Sequence, residues 1–149
     1  MDITPILQRE NDRIKDYLVR ACSDLTDEQV NYDHEAIDER GINGMVVHMW
    51  DALETRARAV AGLEAQNLNH ERPATLRELL AFVDEAHRRT AEVIAGITEE
   101  QLQRTVPIPP GRQMSGIEAM MQGYAHCCRH VGNLLDARHL GGFETHALG

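Results

Sequence analysis

The sequence has few aromatic residues and few cysteines. Phenylalanine, tryptophan and tyrosine make up 4% of its 149 residues, so aliphatic side chains must supply most of the core. It has three cysteines, of which Cys127 and Cys128 are neighbours. Adjacent residues on a helix point about 100° apart, and three cysteines cannot form a disulfide framework. We therefore expect reduced thiols.

The sequence also has no long apolar run and no excess of basic residues. No stretch approaches the roughly 20 apolar residues that cross a bilayer. The first four residues, Met1 to Thr4, lack the basic start of a secretion signal. The net charge of -9 repels nucleic acid and anionic lipid. We predict a cytoplasmic protein that binds neither nucleic acid nor membranes.

The length and hydrophobic content indicate one globular domain. A chain of 149 residues, 42% of them hydrophobic, can build one sizeable core but hardly two. We predict a single domain over residues 1–142. Residues 143–149 carry no apolar pattern that would hold them against it, so we expect a flexible C-terminal tail.

Apolar residues recur at helical spacing in four segments, which predicts an all-α four-helix bundle. The segments are Thr4 to about Cys22, Gly44 to about Leu63, a third that starts at the capping residue Thr75, and Met114 or Ser115 to before Gly141. We expect Thr4 and Asn43 to cap the first two helices. The segments 23–43 and 103–113 are predicted connections, because the first is acidic and the second contains three prolines.

Two short motifs resemble each other. Leu25 to Val30 follows the first helix and Ile97 to Leu102 follows the third, and each has threonine before two acidic residues and glutamine. Both predict a threonine-capped turn that redirects the chain into the next helix. Either the chain contains two similar hairpins or the likeness is coincidental.

Histidine is abundant, with eight residues, and two of them are spaced so that they could bind one metal ion together. His126 and His130 are four residues apart, so their imidazoles lie one turn apart on the last helix. A third nitrogen must come from another helix, and His48 is the natural supplier. All three lie on sectors of small residues, which are Ala52, Thr55 and Ala59 in the second helix and Ala119, Gly123 and Ala137 in the fourth. The alternative is that these imidazoles lie at a solvated helix edge without a metal.

The residues around these histidines resemble the DinB/YfiT-like superfamily. One similar segment is the last helix, which has the pattern His126-x-x-x-His130-x-Gly132-Asn133 followed by a leucine-rich stretch. The surroundings of His48 resemble the second helix of that family. The resemblance implies an up-down-down-up bundle, often dimeric, with His48, His126 and His130 binding zinc, nickel or a similar divalent ion.

Two positions depart from the family pattern. Asn133 stands where the family usually has glutamine, which is a mild change. The branch that resembles mycothiol-dependent maleylpyruvate isomerase tends to have glutamate where this chain has His126. This difference argues against that specific reaction.

Three imidazoles leave a divalent ion with open positions, which is typical of a catalytic site. We therefore predict a metal-dependent enzyme acting on an unknown small molecule. It is either a hydrolase that uses metal-activated water or a transferase of a low-molecular-weight thiol, and we identify no separate general base. The alternatives are a non-catalytic bundle that the metal stabilises or that senses it, and an interaction protein without metal.

Other chemically capable residues are predicted to have structural roles. We expect His87 to be a hydrogen-bonded core histidine and Cys127 to pack, although either could contribute to the site. Asp51 and Glu54 are predicted to be solvated. The remaining histidines, which are assigned no function in the site, are His34, His70, His139 and His146.

The last helix is apolar or small around more than half its circumference. Two bundle neighbours hardly cover so broad a face, which together with the resemblance predicts a homodimer. The alternative is that connections 23–43 and 103–113 cover the surface.

Overall fold

A computed structural model shows a mostly helical protein and describes residues 1–34, 36–37, 40–64, 66, 68–108 and 111–148. It has six helices within these residues and one two-stranded antiparallel sheet. The elements in chain order are α1 (Thr4–Cys22), α2 (Asp27–Val30), α3 (Gly41–Val60), α4 (Leu76–Ala95), α5 (Glu99–Gln103), β1 (Thr105–Ile108), β2 (Arg112–Ser115) and α6 (Gly116–Leu140). The predicted all-α class is confirmed, because the sheet is only one short hairpin.

The four long helices share one apolar core. α3 packs against α4 and α6, and α1 packs against the same two helices. Each long helix therefore contacts two others. Fully buried side chains come from all four, including Leu18 of α1, Trp50 of α3, Leu79 of α4 and Met120 of α6. The up-down-down-up order of directions stays a prediction. None of the described helices is both long and apolar enough to cross a membrane.

Helix starts follow the predicted capping chemistry in part. Thr75 accepts a hydrogen bond from the Glu78 amide at the start of α4. Ser115 and Glu118 form a full capping box at the start of α6. Thr4 does not cap α1: the helix already includes it, and the Asp2 carboxylate accepts from the Thr4 amide instead.

α3 begins three residues earlier than predicted. Gly41 opens the helix with a φ of 76°, a backbone conformation that glycine adopts without steric cost. Asn43 therefore lies inside the first turn, where its amide nitrogen donates to the carbonyl of Pro73 at 2.9 Å. Asn43 ties the start of α3 to the segment before α4, so the prediction that it caps this helix is wrong.

The two similar motifs form the same structure. α2 and α5 each begin with a complete capping box, Thr26 with Gln29 and Thr98 with Gln101. Both are single turns between long helices, as predicted. Leu25 and Leu102 are both buried, so each turn is fixed to the core.

The second connection folds into a hairpin instead of a plain loop. β1 pairs with β2 in the register Val106 to Met114 and Ile108 to Arg112. Val106 and Ile108 are buried, and β1 packs against α3 and α6. Pro109 and Pro110, two of the three prolines of this predicted connection, lie outside the described residues.

The C-terminal segment has contacts that the sequence did not indicate. Phe143 meets the Tyr32 ring edge-on at 5.2 Å, and its carbonyl accepts a hydrogen bond from the buried Arg138 at 2.9 Å. Arg20 donates to the carbonyl of Ala147. The expected flexibility of residues 143–149 stays a prediction.

Candidate metal centre

Three imidazoles from two helices converge between α3 and α6. The Nε2 atom of His126 lies 3.2 Å from Nε2 of His48 and 3.2 Å from Nε2 of His130. One nitrogen of each histidine lies within 4.8 Å of the other two. His130 is buried, and His48 and His126 are partly exposed. The structure thus brings together the three histidines that the sequence singled out.

Small residues allow this approach, as predicted. The α6 residues Ala119, Gly123 and Ala137 are buried on the same side as the two histidines. A side-chain carbon at Gly123 would lie 3.0 Å from Leu53 of α3. Any larger residue at Gly123 would require the Leu53 side chain to shift, so glycine favours this close approach of α6 to α3.

The donor set fits a divalent transition metal. Two imidazole nitrogens that bind one ion at about 2.05 Å and at the tetrahedral angle are about 3.3 Å apart, close to the observed 3.2 Å. An imidazole nitrogen carries either one hydrogen or one lone pair. The Nε2 atom of His126 therefore cannot form a good hydrogen bond with both His48 and His130. If the three Nε2 atoms instead bind one cation, the lone pair of each nitrogen is used. Imidazole is a preferred ligand of zinc and nickel.

The electrostatics favour neutral, metal-competent imidazole. Burial, followed by the neighbouring His130 and His48, lowers the pKa of His126 to about 4. A histidine with so low a pKa is unprotonated at neutral pH, which is the form that binds metal. Its Nδ1 atom is also buried, and no described residue hydrogen-bonds to it.

A cavity of about 640 Å³ opens beside the cluster, and His48 and His126 lie in its wall. Ala52, Thr55 and Ala59 line the same wall, which explains why this sector of α3 consists of small residues. The volume lies within the range of ligand pockets, about 300–1,000 Å³. A small molecule in this cavity would lie next to the imidazoles of His48 and His126.

Asp51 and His70 form a pair in the wall of the same cavity. The Asp51 carboxylate lies 2.7 Å from Nδ1 of His70, and it accepts from the His70 amide at 3.2 Å. Asp51 is 8% exposed, so the prediction that it is solvated is wrong. The assignment of no function to His70 overlooked this pairing. The sequence did contain a signal that Asp51 lies near the site, because it follows His48 by three residues, which is about one helical turn.

Glu54 is also buried rather than solvated, at 3% exposed. It pairs with Arg89 of α4 at 3.2 Å. This ion pair links α3 to α4, and neither residue lines the cavity. The prediction of a solvated Glu54 is wrong because α4 covers this face of α3.

Cys127 and His87 are not members of the three-histidine cluster. The Cys127 thiol is buried 3.6 Å from the carbonyl oxygen of Met49, and burial raises its pKa to about 12. A protonated buried thiol is a poor ligand and a poor nucleophile. Nε2 of His87 lies 2.7 Å from the carboxylate of Asp12, so His87 bridges α4 and α1 as a hydrogen-bonded histidine.

Comparison with known proteins agrees with the geometry. A model of the DinB superfamily matches residues 10–134, a range that includes α3 and the three histidines. A comparison with curated proteins finds no match. The chain belongs to the DinB superfamily.

Proposed function

We propose that His48, His126 and His130 bind one divalent transition metal, zinc or nickel, and that the protein is a metal-dependent enzyme. The observation that carries the proposal is the convergence of three imidazole nitrogens at the wall of a ligand-sized cavity. Three protein ligands leave an open position, and an open position beside a cavity suits a substrate. A closed structural site would have no use for such a cavity.

A bound ion supplies Lewis acidity, which brings the pKa of a ligating water or thiol toward neutrality. The protein's own residues keep His126 neutral, since burial and the neighbouring His130 and His48 lower its pKa to about 4. The His70 and Asp51 pair adds a positioned imidazole in the same cavity wall. It is a candidate to hold a proton during hydrolysis of a substrate or transfer of a low-molecular-weight thiol.

The thiol in such a transfer would have to come from a cosubstrate. Cys127 and Cys22 are buried, and burial raises the pKa of each to about 12. Cys128 is exposed, but it does not line the cavity. The cavity walls favour neither hydrolysis nor thiol transfer.

Elemental analysis of the purified protein tests the metal site. We expect close to one equivalent of zinc or nickel per chain. His48→Ala, His126→Ala and His130→Ala should each lose most of it, whereas His34→Ala and His146→Ala should retain it. Full metal content in any of the first three variants would remove that residue from the site.

A non-catalytic metal-stabilised bundle is the second candidate. It is supported because the three histidines join α3 to α6, which lie far apart in the chain. A ligand at about 1,000 times its Kd stabilises a fold by about 4 kcal/mol. A large rise in melting temperature with zinc, without turnover of any ester or thiol-acceptor pair, would favour this candidate over the enzyme.

A further inference from the structure

Four arginines line the cavity beside the three-histidine cluster. They are Arg40, Arg56, Arg72 and Arg112, and they come from α3, from the segments before α3 and α4, and from the hairpin. Among the described residues that line the cavity, Asp51 is the only acidic one, and it pairs with His70. The described part of the cavity wall therefore carries more positive than negative side chains, although the chain carries a net charge of -9.

Five arginines outside the cavity have carboxylate partners, whereas others, such as Arg9 and Arg77, have none among the described residues. Arg13, Arg20, Arg88, Arg89 and Arg138 each form an ion pair with a carboxylate. Within the described part of the chain, Arg56, Arg72 and Arg112 form none. Three arginines without a described carboxylate partner therefore line one cavity, and their shared position favours a site for an external anion.

Arg56 has the strongest need for such a partner. Its Nη1 atom is buried, and no described residue accepts a hydrogen bond from it. Burial and the nearby charge of Arg112 lower the pKa of Arg56. A buried guanidinium nitrogen without an acceptor is costly. An oxyanion between the two arginines would relieve both the desolvation and the repulsion.

The position of Arg56 is built into the helix pair. A side-chain carbon at Gly123 would lie 3.1 Å from Cδ of Arg56, so the stem of Arg56 rests against α6 at that glycine. Gly123 lies three residues before His126, one helical turn away. Arg56 and His126 also line the same cavity. Arg56 therefore lies close to the histidine cluster.

A second cavity of about 560 Å³ adjoins the first, and Arg112 lines both. Thr55, Ala59 and Ile108 are also shared. Beyond this shared wall the second cavity is lined by the apolar Leu63 and Pro107, by glycines, and by the polar Arg58, Gln66 and Gln113. An anion held at Arg112 could extend an apolar group into this space.

We propose that the substrate is an organic anion. Its carboxylate or phosphate group binds to Arg56 and Arg112 beside the three histidines, and its apolar part occupies the second cavity. This proposal rests on the proposed function, because it takes the cavity beside the histidines as the substrate site. It is tested by binding, which can be measured without a known reaction.

Isothermal titration calorimetry with inorganic phosphate, acetate and hexanoate tests the proposal on metal-free protein. We expect at least one of the three to bind. Arg56→Gln and Arg112→Gln should each weaken its binding by about tenfold or more, because a charge-assisted hydrogen bond is lost. Arg9→Gln, which changes an exposed arginine of α1 that does not line the cavity, should bind like the unchanged protein.

The choice of probes separates the two parts of the proposal. Tighter binding of phosphate or of acetate identifies the anionic group, and either result supports the anion site. Hexanoate should bind at least about tenfold more tightly than acetate, since the second cavity would bury its additional methylene groups. Equal affinities would overturn the assignment of the apolar part.

The anion site fails if none of the three probes binds, or if the cavity variants bind like the unchanged protein. Arg112→Gln changes an exposed residue of the hairpin, so it tests the site even if Arg56→Gln does not fold. Zinc binding by the same proteins is measured in parallel. Zinc binding without anion binding would leave the proposed function intact. Arginine-dependent anion binding without zinc binding would overturn the metal site alone.

Discussion

Asp51 shows how one buried carboxylate fixes a loop to the candidate site. Its two oxygens accept hydrogen bonds from the backbone amide and the ring of His70. Asp51→Asn keeps the shape of the side chain but turns one acceptor into a donor that faces a donor. We expect a loss of about 1–3 kcal/mol in the free energy of unfolding, measured by urea denaturation.

Asp136→Asn is the matched control, because Asp136 is exposed on α6. Its effect should stay within about 0.5 kcal/mol. Equal stability of the Asp51 and Asp136 variants would mean that the pairing with His70 contributes nothing measurable.

The three histidines were predictable from sequence and the Asp51 and His70 pair was not, for a physical reason. His126 and His130 lie one turn apart on a single helix, so their proximity follows from helix geometry alone. Asp51 meets a residue that lies 19 positions later in the chain. That contact depends on the path of the connection between α3 and α4, and local periodicity carries no information about it.

At the scale of elements, two glycines of α6, Gly116 and Gly132, differ in how tightly other parts of the protein pack against them. A side-chain carbon at Gly116 would lie 2.5 Å from the carbonyl oxygen of Gln101 and 2.8 Å from Cα of Leu102. Both are backbone atoms, which cannot move aside easily. At Gly132 such a carbon would have no other atom within 4 Å.

We therefore predict opposite effects of the same substitution on one helix. Gly116→Ala should lower the free energy of unfolding by about 1–3 kcal/mol, because it forces α5 and α6 apart. Gly132→Ala should raise it by about 0.5–1 kcal/mol, because alanine is the better helix former. Chemical denaturation of the two variants measures both, and a stable Gly116→Ala protein would contradict the close packing.

The long helices and the two capped turns could be predicted, whereas the hairpin could not. Each long helix repeats its apolar stripe over several turns, and each capping box is a signal within four residues. Strand β1 has four residues, of which only Val106 and Ile108 are buried. Two alternating positions are too few to indicate a strand, and the pairing with β2 becomes favourable only when α3 and α6 cover it.

At the scale of the whole molecule, the partly buried His126 links stability to pH. The folded protein lowers the pKa of His126 to about 4 from an ordinary value of 6.5. The unfolded chain therefore takes up this proton more readily than the folded chain. Above about pH 6.5 His126 is neutral in both states and does not lower the free energy of unfolding. As the pH falls from 6.5 toward 4, only the unfolded chain takes up the proton, so the free energy of unfolding decreases.

Metal-free protein should thus melt at lower temperature at pH 4.5 than at pH 7.5. His126→Gln should show a smaller decrease over the same interval, because it lacks the group that takes up the proton. His146→Gln, which changes an exposed residue of the C-terminal segment, should follow the unchanged protein. Melting by circular dichroism in the presence of a chelator measures all three, and identical decreases would show that His126 does not contribute.

The outer face of α6 supports the predicted homodimer. α6 packs against α3 and α1, yet Ile117 is 39% and Met121 is 58% exposed. Ala125 and Cys128 are exposed at the following positions of the same face. The hairpin contacts α6 without covering these residues. A row of apolar and small residues at spacings of four, four and three forms a stripe along the helix that a second copy could cover by symmetric pairing.

Sedimentation equilibrium at micromolar concentration should therefore give a mass near twice 16.8 kDa. Met121→Glu places a charge in the middle of the stripe and should shift the protein to monomer, because an unpaired charge in an apolar interface is costly. Ile6→Glu introduces the same charge at an exposed apolar residue of α1, and it should leave the dimer intact. A mass near 16.8 kDa for the unchanged protein, or an equal shift in both variants, would refute pairing through α6.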